Sequence, residues 1–550
     1  MRAKLMSDID WIVLIASLSA IIIYGVYKSK ATKNLDGYFL SNRDMPWYLV
    51  LLSIMGTQAS AVTFLSAPGQ AYTDGMRFVQ YYFGLPIAMI VICIVFVPVF
   101  NKLKVYTAYE FLENRFDLKT RTLTSFLFQV SRGLSTGISI YAPSIILSSL
   151  LGWNIYVTNI IMGGLLIIYT VSGGARAVAH TQKLQLIIVF AGMFLAGYIV
   201  VHLMPAGTGF IDALHIGGKS GKMNIITSGR TENGFDWKDK YNIWSGIIGG
   251  FFLALSYFGT DQSQVGRYLT AKDNRQGKMG LLMNGIVKVP MQFLILLLGV
   301  LVFSFYQFHK APIYFNETQI ALAKKTTYKD SLVALELNYA KVLPDDVAEK
   351  TKIKKAYKNV LAKALPGQEV NDTNYIFLRF VLDYLPKGLV GLLIAIIFLS
   401  AWGSIAAALN ALASCTVVDI HKRFLRRELT HREDYNLSKF YTLAWGLFSI
   451  AVAEFASNLG NSLIETVNIL GSLFYGVILG VFLIAFWIKN IKANATFYAS
   501  VVSEIFIIII YKADIISFLW LNVIGALLVI VFGYIFQLFA KDKTGLTANN

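Results

Sequence analysis

The chain has 550 residues, 56% of them hydrophobic and only 15% charged, against about 25% charged in an ordinary soluble protein. Its net charge is +17, from 49 Lys and Arg against 32 Asp and Glu. That composition excludes a disordered chain and argues against a soluble enzyme. Apolar runs of about 20 residues recur from end to end, the length of a helix that crosses a bilayer. They are uniformly apolar rather than alternating, which excludes a barrel and leaves an all-α polytopic membrane protein.

About thirteen spans follow in chain order, at roughly 9–27, 46–73, 79–100, 122–150, 154–173, 182–204, 243–265, 280–307, 386–418, 437–457, 462–488, 493–512 and 516–539. The first is no signal peptide: Asp8 and Asp10 precede it, no small-residue cleavage site follows, and Lys28, Lys30 and Lys33 come straight after. One set of loops carries most of the positive charge, among them Arg43, Lys102, Lys104, Arg115, Lys119, Arg176, Arg275, Lys278, Lys422, Arg423, Arg426, Arg427, Lys439, Lys489, Lys492, Lys541 and Lys543. The other short loops and the N-terminus carry Arg2, Lys4, Arg77 and Lys512. The positive-inside rule then puts the N-terminus outside and the C-terminus in the cytoplasm of an inner or plasma membrane.

Two longer loops, 205–242 and 308–378, fall outside. The second contains helix-like stretches such as Val347–Ala364 and reads as a solvated cap. Two spans are interrupted by small and polar residues. The second reads Ser53-Ile-Met-Gly56-Thr57-Gln58-Ala59-Ser60-Ala61-Val62-Thr63, and the seventh Leu255-Ser256-Tyr257-Phe258-Gly259-Thr260-Asp261-Gln262. Discontinuous helices at matching places in two halves are the sequence mark of a transporter site at the bilayer midplane. Five spans separate them, so spans 2–6 and 7–11 read as a 5+5 inverted repeat. The chain then divides into 1–45, an extra helix and loop; 46–204, the first repeat; 205–242, an external loop; 243–488, the second repeat with its insertion; and 489–550, two further helices and a tail.

Several stretches together resemble the sodium/solute symporter family: Tyr38-Phe-Leu-Ser-Asn-Arg43-Asp-Met-Pro46-Trp47, Thr107-Ala-Tyr-Glu110-Phe through Arg115-Phe116, Gly173-Gly174-Ala-Arg-Ala177-Val178, Gly259-Thr-Asp-Gln262 through Arg267 and Lys272, and Leu409-Asn410-Ala411 through Asp419-Ile420. The resemblance covers about residues 9–490. It implies the leucine-transporter-type fold and sodium-coupled solute uptake by alternating access. By position it implies a sodium site at the carbonyls of Gly56, Ala59 and Ser400 and the side chains at 403 and 404. Ser404 keeps the family's hydroxyl, whereas Gly403 stands where the family has Ser. After the Gly-Gly motif the family reads Thr-Asp-x-x-Gln and this chain Thr181-Gln182-Lys183-Leu184-Gln185. The carboxylate has become the Gln182 amide, and Lys183 sits beside it. A lysine standing in for the ion would repel a sodium 4 Å away by about 4 kcal/mol at an effective dielectric of 20; the plainer reading is a lysine snorkelling to the headgroups. A sodium-independent facilitator or exchanger that uses Lys183 is therefore one alternative to sodium coupling.

For solute contacts the first broken helix offers Gln58, Ser60 and Thr63, and the next span Phe78, Gln80 and Tyr82. Arg132 lies inside span 4, where an arginine costs at least about 2.5 kcal/mol and needs a partner or a watery cavity. Its planar fork suits a carboxylate, and it resembles in placement the arginine that holds the substrate carboxylate in the family's sialic-acid transporters. The other reading is a structural arginine paired with Asp261 or helix carbonyls. Lys288 and Tyr257 match the sugar-site lysine and gating tyrosine of the family's galactose transporter, whereas Val62 and Tyr82 stand where that transporter has acids. Asp261 and Gln262 line the cavity, bind an ion, or cap the unwound turn.

The expected cargo is a small polar solute: a sugar, a sugar acid such as sialic acid, or an organic acid. No nucleotide-binding loop is present. The six histidines show no zinc or triad spacing, and Cys93 and Cys415 read as buried thiols. The sequence thus predicts a transporter, not an enzyme, with a solute, Na+ and the lipid bilayer as partners, no cofactor and no nucleic acid. A transporter-like solute sensor is the rival from another class. Oligomeric state leaves no mark in the sequence.

Overall fold

The computed structural model describes residues 6–28, 35–342, 346–368, 370–424, 429–456 and 462–539. Arg2, Lys4, Lys30, Lys33, Arg426, Arg427, Lys541 and Lys543 lie outside the described residues. Helix occupies every expected span, from Asp8–Lys28 to Phe518–Phe539. Among the described residues eight helices are long and apolar enough to cross a membrane, and a bent pair makes a ninth.

Spans 5 and 6 are expected as separate helices, yet helix is continuous over Ile155–His202. The Tyr169 hydroxyl nevertheless lies 2.9 Å from Thr181 Oγ1. Twelve residues of straight helix would separate them by about 18 Å. The helix is therefore not straight between them, which agrees with two spans.

Both interruptions are real breaks. Trp47–Gln58 and Ala61–Asp74 meet at 60°. Ala59 and Ser60 leave the helical region at ψ 69° and 171°, and Thr63 Oγ1 donates to the freed Gln58 carbonyl at 3.2 Å. The second break separates Gly250–Gly259 from Gln262–Tyr268. Asp261 caps the new helix by accepting Ser263 N–H at 2.8 Å, and the Tyr109 hydroxyl donates to the Thr260 carbonyl at 2.8 Å. Polar side chains at each break thus satisfy backbone groups that hydrocarbon would leave bare.

Asn274–Phe308 packs along both halves of the first broken helix, while Leu389–Cys415 packs against Leu118–Leu151 and Ile155–His202. Leu389–Cys415 is buried along almost its whole length, as a helix apolar on all sides must be. Asp10 of the first helix fixes its start, accepting Gly388 N–H at 2.6 Å and Gly391 N–H at 3.2 Å. A carboxylate at a helix N-terminus complements the dipole there.

The 308–378 insertion folds into Glu317–Ala323, Lys329–Lys341 and Val347–Ala364 around a small core of its own that includes Tyr314, Leu332, Tyr357 and Leu361. Burial, with Glu336 beside it, pushes the Tyr357 phenol well above its ordinary value. The unit is joined to the membrane helices at Asn374, whose side-chain oxygen accepts Leu463 N–H at 3.2 Å. In the 205–242 loop lie the helix Phe210–Lys219 and a two-stranded hairpin, Arg230–Thr231 with Gly234–Phe235.

Candidate functional site

The first break, the second broken helix, Leu118–Leu151, Asn274–Phe308 and Leu463–Trp487 enclose a cavity of about 120 Å³. Of the sequence-predicted residues it brings together Gln58, Ser60, Thr63, Tyr82, Arg132, Tyr257 and Lys288. A second cavity of about 80 Å³ shares Gln58, Ser60, Arg132 and Tyr257 and reaches Thr57, Thr136, Ser139 and Ser404. These polar groups come from six different spans.

Arg132 is the electrostatic centre. Its Nη2 pairs with Asp261 Oδ2 and donates to the Tyr475 hydroxyl at 2.8 Å. That hydroxyl in turn donates to Asp261 Oδ2 at 2.8 Å. The guanidinium also stands over the Tyr257 ring, 5.3 Å from its centroid. The partnership with Asp261 is the structural reading of Arg132 made real. The same side chain still lines both cavities, and its Nε is buried without a hydrogen-bond partner among the described residues.

Lys288 is 2% exposed and has no carboxylate in ion-pair range among the described residues. Its nearest electrostatic company is the Tyr82 ring, at 5.5 Å. Gln58 Nε2 donates to Asn284 Oδ1 at 3.0 Å, one helical turn before Lys288. Two basic side chains, Arg132 and Lys288, thus line the cavity, and the carboxylate that pairs with Arg132, Asp261, lies behind it.

Four predicted residues serve elsewhere. Gln80 gives its amide to the 205–242 loop, donating to Thr227 Oγ1 and the Tyr241 carbonyl, both at 3.0 Å. Gln262 clamps the 106–108 segment, accepting Ala108 N–H at 3.0 Å and donating to the Tyr106 carbonyl at 2.8 Å. Phe78 is buried among Tyr81, Tyr82 and Tyr241, behind the wall. Asp261 reaches the cavity only through Arg132 and Tyr475. Side chains the sequence reading missed are Tyr475, Tyr81 and Asn468 in the larger cavity and Thr136 and Ser139 in the smaller. Thr136 and Ser139 carried a signal, a polar stripe at helical spacing from Arg132. A single tyrosine in an apolar run, as at 475, carries none.

At the implied ion position Gly56 and Ala59 face Leu389–Cys415, which carries Ser400, Gly403 and Ser404; all five are buried. Between the two helices lies Gln182. Ser53 Oγ donates to its Oε1 at 3.0 Å, and its Nε2 donates to the Gly403 carbonyl at 3.2 Å and Thr57 Oγ1 at 3.4 Å. The amide lies flat on Gly56, where a Cβ would come within 2.8 Å of its carbons. At Gly403 a Cβ would stand 2.7 Å from Gln185 Oε1. The glycine at 56 is therefore needed for Gln182 to fit, whereas at 403 the near atom is the tip of Gln185, which can swing aside. Gln182, not Lys183, makes these contacts; Lys183 is half-buried, about 100° further round the helix. An N–H donor in this position works against a cation.

A family model for the sodium:solute symporter family matches residues 38–348 and 353–503. The chain is 25% identical to the sodium/sialic acid symporter NanT of Aliivibrio fischeri, over 97% of this chain and 94% of that one. It is 26% identical to the sodium/sialic acid symporter SiaT of Proteus mirabilis, over 97% and 96%. A solved structure of a Na+-coupled sialic acid symporter, substrate-bound and outward-open, superposes with a TM-score of 0.78 at 24% identity, covering 97% of this chain and 98% of that one. The likeness shows a shared fold.

Proposed function

The chain belongs to the sodium:solute symporter family, secondary transporters that import solutes with Na+, and we propose that its own solute carries a carboxylate, sialic acid being the first to test. The observation that supports this is the basic lining of the cavity: the Arg132 guanidinium and the buried Lys288 amine, with no carboxylate among the lining residues, beside the hydroxyls of Ser60 and Thr63. A desolvated positive charge without a partner is costly, and a bound anion removes that cost. Two relatives with sialic acid in their names point the same way. The cavity of about 120 Å³ is smaller than the roughly 300 Å³ usual for a ligand pocket. A sugar acid therefore enters only when the helices part, as alternating access requires. We place the N-terminus outside, the C-terminus in the cytoplasm and the 308–378 insertion outside, from the loop charges.

The test is uptake of labelled solutes into proteoliposomes under an inward sodium gradient. Sialic acid or lactate is expected to accumulate and galactose is not. Galactose uptake without uptake of either acid overturns the proposal. Potassium in place of sodium is expected to abolish accumulation.

Gln182 bears on the ion. Gln182→Asp exchanges an amide donor for a carboxylate and is expected to lower the half-saturating sodium concentration about tenfold. That is roughly 1.4 kcal/mol, well within the attraction between unit charges a few ångströms apart. Sodium activation curves of uptake decide it. An unchanged midpoint would place the coupling ion away from Gln182.

A further inference from the structure

Asp261 serves three neighbours with its two oxygens. Oδ1 accepts the N–H of Ser263 at 2.8 Å and its hydroxyl at 2.6 Å, which starts the Gln262–Tyr268 helix. Oδ2 takes the Tyr475 hydroxyl at 2.8 Å and pairs with Arg132 Nη2. The pair links two helices: Arg132 belongs to Leu118–Leu151, and Asp261 sits at the break of the second broken helix.

The pair is also incomplete. A guanidinium presents a carboxylate with a two-pronged fork. Asp261 takes one prong, and Arg132 Nε is left buried without a hydrogen-bond partner among the described residues. The N-cap bonds from Ser263 hold Oδ1 away from that second prong. A free carboxylate in the cavity has no such tether.

We propose that Asp261 is an internal surrogate for the solute's carboxylate: it occupies Arg132 while the carrier is empty, and the arriving solute displaces it and frees the second broken helix from Leu118–Leu151. This rests on the reading of Arg132 as the carboxylate-binding residue. Two consequences follow from competition for one guanidinium. Removing the charge at 261 strengthens solute binding. It also leaves Arg132 unneutralised whenever the empty carrier reorients, which net uptake requires and solute-for-solute exchange does not.

The experiment uses the full chain in proteoliposomes with labelled sialic acid and lactate. Asn is as good an N-cap as Asp, so Asp261→Asn keeps the turn. It is expected to bind the acid about fivefold tighter, with net uptake relative to counterflow falling about tenfold. Asp261→Ser, a second neutral N-cap, is expected to do the same and decides the matter if the Asn variant does not fold. Weaker binding in the folded variant, with net uptake and counterflow falling in parallel, overturns the proposal and makes Asp261 a positioning residue only. Arg132→Gln separates the two levels. Undiminished affinity for the acid in that variant, or no binding of either acid by the unaltered protein, overturns the reading of Arg132 and the surrogate with it. Loss of affinity in Arg132→Gln without a gain in Asp261→Asn overturns the surrogate alone.

Discussion

Arg132→Ala is expected to cost a carboxylate solute about 2–5 kcal/mol of affinity, the usual loss when one partner of a buried charged pair is truncated. That is roughly thirtyfold to several thousandfold. Binding of labelled sialic acid to purified protein reads it. Arg132→Lys keeps the charge and gives up the fork, so it is expected to fall between the two. Stability changes as well, because Asp261 is fully buried and loses the cationic partner it has among the described residues. The double variant Arg132→Ala/Asp261→Ala removes the orphaned carboxylate. It is expected to recover most of the melting temperature and none of the solute affinity. Recovery of both, or of neither, would contradict the assignment of Arg132 to the solute.

The second large effect lies at the other end of the same helix. Arg121 is completely buried. It donates to Asp419 Oδ1 from Nε at 2.8 Å and from Nη2 at 2.6 Å, and to Glu113 Oε2 at 2.5 Å. Thr107 and Ser125 add their hydroxyls to Asp419 at 2.6 and 3.2 Å. The cluster ties the segment after span 3 to spans 4 and 9. Breaking a buried pair by removing one partner typically costs about 3–5 kcal/mol, because the other charge is left uncompensated. Arg121→Ala is therefore expected to be among the most destabilising single substitutions in the chain, measured as the loss of a thermal midpoint in detergent. Glu113→Gln is expected to cost much less, since Glu113 is partly exposed and Arg423 stands 3.2 Å away as a second partner. Equal losses would mean that the cluster is solvated rather than buried.

Much of this was legible because the bilayer narrows the choices. A run of twenty apolar residues can only be a crossing, so the spans and both breaks were readable from hydropathy and from Gly56, Ser60, Gly259 and Asp261. The family motifs extended that reading to the ion position, where Gly403 and Gln182 already stood out as departures. The insertion was harder. Its helices are amphipathic and charged, and nothing in the pattern says that Tyr314 and Tyr357 meet in a core.

Which polar residues share the cavity was less legible, for a physical reason. Gln80 and Gln262 look like solute ligands in the sequence because they are amides near a break. An amide has donors and an acceptor that suit backbone equally well, and in the structure both clamp neighbouring loops. Arg132 and Asp261 lie 129 positions apart, and Tyr475 a further 214 beyond Asp261; no local pattern joins them.

The sequence by itself determined that the chain spans a membrane as helices, that two of them break, and that a cation lies within span 4. Those are consequences of desolvation, which acts on each residue where it stands. It took the packed helices to show that Arg132 shares its charge with Asp261 and Tyr475, that Lys288 has no carboxylate in ion-pair range among the described residues, and that the Gln182 amide, rather than Lys183, fills the gap at Gly403. Pairing depends on which helices pack together, and packing brings together residues that the chain keeps hundreds of positions apart.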